Sequence, residues 1–483
     1  MTTDPQDGQP DAVTFSRLAR RAVLLGLSAG QVATLGAGLV VLVGSLVTGD
    51  AAGATWTAPL WGGAILLALL RRDGRPLAEW LPRWTVWGWR RASGQATHTT
   101  SVLRPRPTGR LHLPGDPSPL DTMVDPDSGA VLVHDPASHL LVAIARVAHR
   151  AFVLQDPTDQ QRRVHGWGRV LAGAARSTGI ARIQVLEQTL PDHGEGLADW
   201  WARHGIDDGS WVAATYRELI AAAGPTGERH LTTISLALDL RQAASQIRAA
   251  GGGLAGAARV LHRDMTALGR ALTTADLAPV QWLGTEDLTG LIRTAYDPHL
   301  AGGTDHAGNG RLADAGPMAM VEDWDTLRTD SAWHAVLWIS EWPRTAVHPG
   351  FLAPLVLSGG VRRAFSLVCQ PVPTDRATRE VRRRKTEHLA DTAQRTRLGQ
   401  VTDARDTAEY HDVLQQEADL AAGHALVRYT GLLAISAPTR DTLDAAVADI
   451  EQAAVQASCE TRRLVGQQAR AFAAAALPLC RHV

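Results

Sequence analysis

Residues 22–47, AVLLGLSAGQVATLGAGLVVLVGSLV, contain no charged side chain. At about 1.5 Å per residue, a helix of this length exceeds the roughly 30 Å of a membrane's hydrocarbon core, so the stretch predicts a spanning helix. A second apolar stretch, residues 55–70, follows the turn Thr48-Gly49-Asp50. Together the two stretches predict a helical hairpin in a membrane.

Residues typical of a membrane interface flank both stretches. Arginines stand at the outer ends and the connecting turn carries only Asp50, so the positive-inside rule places both chain termini in the cytoplasm. We therefore expect a multi-pass protein of the inner (plasma) membrane. A cleaved secretory signal is the disfavoured alternative, because the apolar core of a signal is usually shorter. The expected interface anchors are Arg20, Arg21, Trp56, Trp61, Arg71, Arg72, Trp80 and Trp84.

Two strings imitate catalytic motifs. Gly26-Leu27-Ser28-Ala29-Gly30 matches the G-x-S-x-G nucleophile elbow, but it begins the apolar helix and follows no soluble strand. Gly26 and Gly30 instead have the small-xxx-small spacing that lets two membrane helices approach closely. Residues 251–256, GGGLAG, match the dinucleotide fingerprint G-x-G-x-x-G, yet they follow a helical stretch, which favours a break between helices.

Composition argues against nucleotide hydrolysis and metal chemistry. Lys385 is the only lysine and no glycine precedes it, so the sequence lacks the Gly-Lys-Ser/Thr of a phosphate-binding loop. The net charge of −1 gives the whole chain no electrostatic preference for nucleic acid. Three cysteines without a C-x-x-C pair fit no familiar zinc pattern and indicate a reducing compartment. We expect no catalytic, cofactor-binding or metal-binding residues.

Breaks in composition divide the chain, at a proline-rich stretch before residue 120 and a glycine-rich stretch near residue 305. The predicted fold class is α+β: an N-terminal transmembrane helical hairpin, then a cytoplasmic α/β lobe and a ferredoxin-like unit with a helical-hairpin insertion. Trp80 and Trp84 belong to a segment that fits an amphipathic helix on the membrane surface or a packed linker. The predicted segments are a disordered basic N-terminus 1–21, the hairpin 22–72, a juxtamembrane segment and linker 73–119, the α/β lobe 120–300, a linker 301–330 and the ferredoxin-like unit 331–483.

The final third shows the clearest order of elements. Strand and helix patterns there follow the ferredoxin-like order β-α-β-β-α-β, with residues 375–424 inserted between the second and third strands. The expected strands are 332–341, 362–370, 427–436 and 460–465, and the expected helices are 349–357 and 439–457.

The insertion 375–424 has a basic half and an acidic half of similar length, which predicts two helices paired as a hairpin. It is either a solvated charged face or an arm that docks another subunit, and its lack of interleaved aromatic residues disfavours nucleic acid. The expected docking residues are Arg382, Arg383, Arg384, Lys385, Arg395 and Arg397 in the arm, and Gln467, Gln468 and Phe472 in the C-terminal tail.

Two regions carry a family resemblance. Residues 26–31, GLSAGQ, and the hairpin around them resemble the PrgI-type two-helix membrane proteins of conjugative elements. The final third resembles the N-terminal, non-ATPase domain of VirB/TrbE/CagE-class transfer ATPases, through Trp342-Pro343, the basic arm, residues 417–424 and the ending from Gly466 to Leu477-Pro478-Leu479. The resemblance implies that an actinobacterial system has fused the hairpin to the motor's anchoring domain and left the ATPase on a separate polypeptide.

These observations predict a non-catalytic inner-membrane subunit of a conjugation or type IV-like secretion apparatus. It would anchor a separate P-loop transfer ATPase and oligomerise within the complex, without direct binding of nucleic acid. One alternative is a membrane component of a type VII-like secretion system. The other is a membrane-tethered enzyme, which would require its histidines, His134, His139, His149 and His165, to converge with carboxylates.

Overall fold

A computed structural model gives the fold of the chain. It describes residues 29–72, 75–100, 107–115, 118–148, 152–177, 179–192, 195–223, 227–278, 280–299, 311–357, 359–397 and 404–482. The chain divides into two compact units, a small one, Leu18–Thr97, with an apolar N-terminal helix, and a large one that includes His98–Val483 and contains a large antiparallel sheet. The protein is therefore a mixed α+β protein.

The small unit is built on two apolar helices, α1 (Ala29–Trp56) and α2 (Ala58–Leu69). They pack antiparallel, because the Gln31 amide near the start of α1 donates to the Ala68 carbonyl near the end of α2 at 2.8 Å. At Gly38 a Cβ would meet a side chain of α2 at 2.9 Å, so the close approach of the helices requires glycine there. The unit also contains β1 (Arg71–Arg72), β2 (Arg75–Pro76) and α3 (Leu81–Ala92).

The expectation of two spanning helices is only partly supported. Among the described residues, one helix is long and apolar enough to cross a membrane, over Gly30–Trp56. Its helical path is interrupted at Asp50, whose φ of 53° is left-handed. α2 has 12 residues. That length is about 18 Å of helix, short of the roughly 30 Å that a spanning helix must cover.

The large unit contains two successive halves with the same order of elements, after β3 (Thr97–Thr99) and β4 (Arg110–Leu111). The first half consists of β5 (Leu120–Val124), β6 (Val131–Asp135), β7 (Leu140–Val147), α4 (Pro157–Arg176), β8 (Ile180–Asp192), α5 (Glu195–His204), α6 (Trp211–Ala223), β9 (Gly227–Asp239), α7 (Ala244–Ala249), α8 (Gly253–Thr274), β10 (Val280–Trp282) and α9 (Thr285–Tyr296). The second half consists of β11 (Ala319–Glu322), β12 (Leu327–Thr329), β13 (Trp333–Glu341), α10 (Ala353–Val356), β14 (Arg362–Pro371), α11 (Thr374–Arg397), α12 (Ala404–Ala421), β15 (Val427–Ala437), α13 (Arg440–Gln456), β16 (Glu460–Arg463) and α14 (Gln468–Ala476).

The strands of both halves pair in the same way. In the first half β9 lies between β7 and β8, while β6 and β10 pair with the other edge of β7. In the second half β15 lies between β13 and β14, while β12 and β16 pair with the other edge of β13. Individual hydrogen bonds also match, since the Leu283 N–H donates to the Ile144 carbonyl and the Leu464 N–H donates to the Val336 carbonyl, both at 2.9 Å. The chain thus contains an internal structural repeat.

One antiparallel sheet joins the two halves, because β8 of the first pairs with β14 of the second. Its order is β3-β11-β12-β13-β15-β14-β8-β9-β7-β6-β5-β4. Antiparallel pairing of equivalent strands relates the halves by an approximate two-fold axis near the pair Leu186 and Ser366. This sheet corrects the expected division into a lobe 120–300 and a unit 331–483, and the expected linker 301–330 supplies β11 and β12.

Helices cover both faces of the sheet. On one face α4 and α8 bury an apolar cluster over the first half, and α13 buries another over the second half, with Leu367 of β14 packed against both. On the opposite face α9 and α14 bury a single cluster that takes residues from both halves, such as Ile144 and Val336. The shared cluster means that the two halves have one continuous core.

The C-terminal tail lies in the seam between the halves. Phe472 is 1% exposed, and its ring centre lies 5.1 Å from that of Tyr296 in α9. The side chain of Gln184 in β8 donates to the Leu477 carbonyl at 3.0 Å and accepts from the Cys480 N–H at 2.6 Å. The remaining residues of α14 are mostly alanines, whose small side chains let the helix lie close to the sheet. The tail therefore completes the core of both halves.

Candidate docking surfaces

Two helical arms interrupt the two halves at the same place. Arm 1, residues 195–223 with α5 and α6, connects β8 to β9. Arm 2, residues 374–421 with α11 and α12, connects β14 to β15. Because β8 and β14 run antiparallel beside each other, arm 1 leaves one end of the sheet and arm 2 leaves the opposite end. One chain therefore presents a helical arm at each end.

The two helices of arm 1 are joined by an aromatic contact and an ion pair. The ring centres of Trp201 in α5 and Tyr216 in α6 lie 4.9 Å apart. Asp207, in the connecting loop, lies 3.4 Å from the guanidinium of Arg217. These contacts hold the two helices of arm 1 together as a pair.

Arm 1 presents an aromatic and acidic outer surface. Trp211 is 79% exposed, and Leu219, about two turns further along α6, is 62% exposed. Glu218 is exposed and has no ion-pair partner within the part of the chain that the structure describes. Residues 195–223 carry five acidic residues against two arginines. Further exposed apolar side chains of the arm are Trp200, Ile206, Val212 and Tyr216.

Arm 2 is a pair of helices held together by an ion pair and a ring stack. The ammonium group of Lys385 in α11 lies 2.6 Å from the carboxylate of Glu417 in α12. The ring of His388 stacks on that of Tyr410, with 5.1 Å between ring centres. The basic and acidic helices thus face each other, as their charge pattern predicts.

Ion pairs inside arm 2 engage several of the expected docking residues. Arg383 pairs with Glu387 at 2.7 Å, and Arg384 pairs with Glu380 at 2.6 Å, each one turn along α11. Lys385 is engaged by Glu417. These three basic side chains are partly neutralised by the arm itself. The side chains of Arg395 and Arg397 lie outside the described residues.

A stripe of arginines on α11 keeps its charge uncompensated. Arg376, Arg379 and Arg382 follow one another at intervals of three residues and are exposed, so they share one side of the helix. None of the three has a carboxylate partner among the residues that the structure describes. Among the expected docking residues of the arm whose side chains the structure describes, Arg382 is therefore the one without an ion-pair partner. We call these three residues the arginine stripe.

The tail residues do not form a docking face. Gln468 is fully buried, and its side chain accepts from the Val336 N–H at 3.2 Å. Phe472 lies in the shared core, and Gln467 is half-buried. The expectation that the tail offers an apolar helix face to a partner is corrected, because the tail's apolar residues cover this chain's own sheet.

The expected membrane anchors have mixed positions. Arg20, Arg21 and Gly26 lie outside the described residues, as does the side chain of Arg72. Trp56 is 87% exposed near the end of α1, and Arg71 is exposed after α2. Trp61 is half-buried and donates to the Ala54 carbonyl at 3.1 Å.

Trp80 is only 8% exposed, so it packs within its own unit, whereas Trp84 is 36% exposed and reaches the surface of α3. Gly30 is half-buried, and Gly38, about two turns later, makes the close contact with α2 described above. Gly26 lies outside the described residues, so the packing role of Gly26 and Gly30 stays a prediction.

Sequence reading missed one polar cluster. Asp125, buried in the turn after β5, accepts from the Ser128 N–H at 3.1 Å and lies 2.7 Å from Nδ1 of His262 on α8. Burial alone would raise the pKa of Asp125, but the hydrogen bonds from Ser128 and His262 bring that pKa below its usual value. Asp125, Asp127 and His262 could each offer one metal ligand, and the three ligand atoms lie within 4.8 Å of one another. The contacts within the cluster already explain it as a link between the turn and α8.

An open groove of about 620 Å³ lies between α8 and β10. Arg270 is the only ionisable side chain on its lining, which otherwise consists of small, hydroxyl and apolar residues such as Met265, Val280 and Trp282. A lining with one cation and no carboxylate or histidine offers no general acid and base pair.

No family model and no curated protein matches this chain. A fold alone does not define a function, so the function of this chain has to be inferred from the chemistry and placement of its two arms.

Proposed function

We propose that the chain is a non-catalytic, membrane-anchored assembly subunit of a conjugation or type IV-like secretion apparatus that holds a separate P-loop transfer ATPase. The strand order β16-β13-β15-β14 supports the interpretation of the second half as a ferredoxin-like unit, with arm 2 as its helical-hairpin insertion. That is the region whose sequence resembles the anchoring domain of transfer ATPases. The apolar helix α1, with α2 packed on it, would attach the chain to the inner membrane.

The observation that carries this proposal is the pair of exposed arms on opposite ends of one continuous sheet. Of the four histidines named in the sequence analysis, the three that the structure describes make separate contacts, which supports a non-catalytic role. His134 lies 3.6 Å from Asp121, His139 lies beside Arg241, and His165 lies beside Gln161. His149 lies outside the described residues. A rigid sheet that extends helical arms is suited to holding other proteins in position.

Co-purification tests the proposal. The full chain in detergent would be mixed with a free-standing P-loop transfer ATPase from the same organism. We expect the complex to be lost when residues 375–424 are replaced by a short Gly/Ser linker. A matched control, Arg169→Glu with Arg248→Glu and Arg270→Glu, reverses three exposed arginines outside the arms and should retain the complex. Retention of the ATPase without arm 2, or saturable ATP binding by the chain alone, would refute the proposal.

Membrane attachment has its own test. In the proposed multi-pass arrangement both termini are cytoplasmic and the break beside Asp50 lies near the outer surface. A cysteine at Gly49 should be labelled from outside in intact cells by an impermeant reagent, while a reporter after Val483 should report a cytoplasmic position. Labelling at Gly109 from outside would contradict this topology.

A further inference from the structure

The outer surfaces of the two arms are chemically complementary. Arm 1 exposes the indole of Trp211 and the unpaired carboxylate of Glu218. Its sequence also contains more acidic than basic residues. Arm 2 exposes the arginine stripe, on a helix with eight basic against four acidic residues. Guanidinium groups stack on indole rings and pair with carboxylates, so each surface supplies what the other lacks.

The two surfaces cannot meet within one chain. They leave opposite ends of the sheet, and β14, which separates those ends, has 10 residues. An extended strand of that length covers about 33 Å, far beyond the reach of an arginine side chain. A contact between the arms therefore requires two molecules.

We propose that arm 1 of one copy of this chain binds arm 2 of a second copy, with the arginine stripe lying over Trp211 and Glu218. The exposed apolar residues of α6, such as Val212 and Leu219, are then covered by the aliphatic parts of the arginine side chains. This contact is made by the chain alone, and it does not depend on the ATPase of the proposed function.

Such a contact joins two different surfaces of the same chain. Repeated in one direction it forms a ring or an open row of copies, and formed twice between two copies it closes a symmetric pair. In the ring or the closed pair every arm has a partner. The approximate two-fold axis of the sheet allows these arrangements, because it places equivalent arms at opposite ends of each copy.

Complementation between two variants tests the contact. Variant A carries Arg376→Glu, Arg379→Glu and Arg382→Glu, and variant B carries Trp211→Ser and Glu218→Arg. The wild-type full chain in detergent should self-associate, as measured by light scattering and native mass spectrometry. Each variant alone should self-associate at least about tenfold more weakly than wild type. Mixed in equal amounts, A and B should form a one-to-one pair, because arm 1 of A and arm 2 of B are intact.

Controls separate lost binding from lost folding. Circular dichroism melting should be unchanged in A and B, because all five substitutions are at exposed positions. The control Arg169→Glu with Arg248→Glu and Arg270→Glu should associate as wild type does. The proposal is overturned if wild type stays monomeric, if A alone associates as wild type does, or if the mixture of folded A and B gives no pair.

Discussion

Arm 1 and arm 2 stand at equivalent places in two halves with the same strand order, yet their surfaces differ completely. Arm 1 exposes tryptophan, leucine and glutamate side chains, whereas arm 2 exposes the arginine stripe and pairs Arg383, Arg384 and Lys385 with its own glutamates. The strands of the two halves, in contrast, meet in one core and make matching bonds. Packing therefore constrains the residues of the shared sheet, whereas the exposed side chains of the two arms are free to differ.

The largest expected effect concerns the seam that both halves share. Phe472→Ala removes a ring buried against Tyr296 and leaves a cavity, which should lower the free energy of unfolding by about 3–5 kcal/mol. Denaturant unfolding of the full chain followed by circular dichroism would measure it. The control Leu389→Ala, on the exposed side of arm 2, should change stability by about 0.5 kcal/mol or less.

Hydrogen exchange of Phe472→Ala provides a second test of the seam. Since the cluster beneath Phe472 takes residues from both halves, amide protection should fall in β9 of the first half and in β15 of the second. Loss of protection confined to the second half would mean that the halves are separate cores after all.

A difference between the halves predicts a pH dependence of intermediate size. His334 is fully buried, with its ring nitrogens 2.6 Å from the Thr329 hydroxyl and 2.8 Å from the Ser436 hydroxyl, and burial lowers its pKa to about 3. Counting from the equivalent residues Val336 and Ile144, the first half has Val142 at this position. Only the second half therefore carries this buried imidazole among the paired strands.

The sign of the effect follows from the proton balance. In the unfolded chain His334 has a pKa near 6.5, so below about pH 6.5 the unfolded state takes up a proton that the folded state excludes. Its stabilising contribution is complete above that pH and falls by up to about 1.4 kcal/mol per pH unit as the pH drops toward 3. Between pH 6.5 and 5, the free energy of unfolding of His334→Gln, measured by denaturant titration, should depend less on pH than that of wild type.

The smallest expected effect lies within arm 2. Lys385→Met removes an ion pair whose side chains are partly solvated, so it should lower the local stability of arm 2 only slightly. Hydrogen exchange of α11 and α12 would detect faster opening of the arm. Arg382→Met, on the unpaired stripe, should leave this exchange unchanged. An equal effect of both substitutions would contradict the assignment of Lys385 to the helix contact.

Much of the local structure was readable from the sequence. Periodicity placed the strands and the final long helix of the second half within a few residues of their observed bounds. The apolar run of α1 and the pairing of arm 2's oppositely charged helices were readable for the same reason. Each depends on side chains that are near one another in the sequence.

Only the tertiary structure decided how those elements combine. The pairing of β8 with β14 joins residues about 180 positions apart. No local sequence pattern distinguishes one joint sheet from two separate sheets, one in each half. The burial of the tail depends on polar side chains such as Gln184, which read as exposed in a strand and instead bond to the tail's backbone. Likewise, an arginine of α11 remains unpaired where folding brings no carboxylate close to it. Local patterns predicted most of the elements and the paired charges of arm 2, because these arise from neighbouring residues. The joint sheet, the buried tail and the arginine stripe arise from contacts that form only when distant segments pack together.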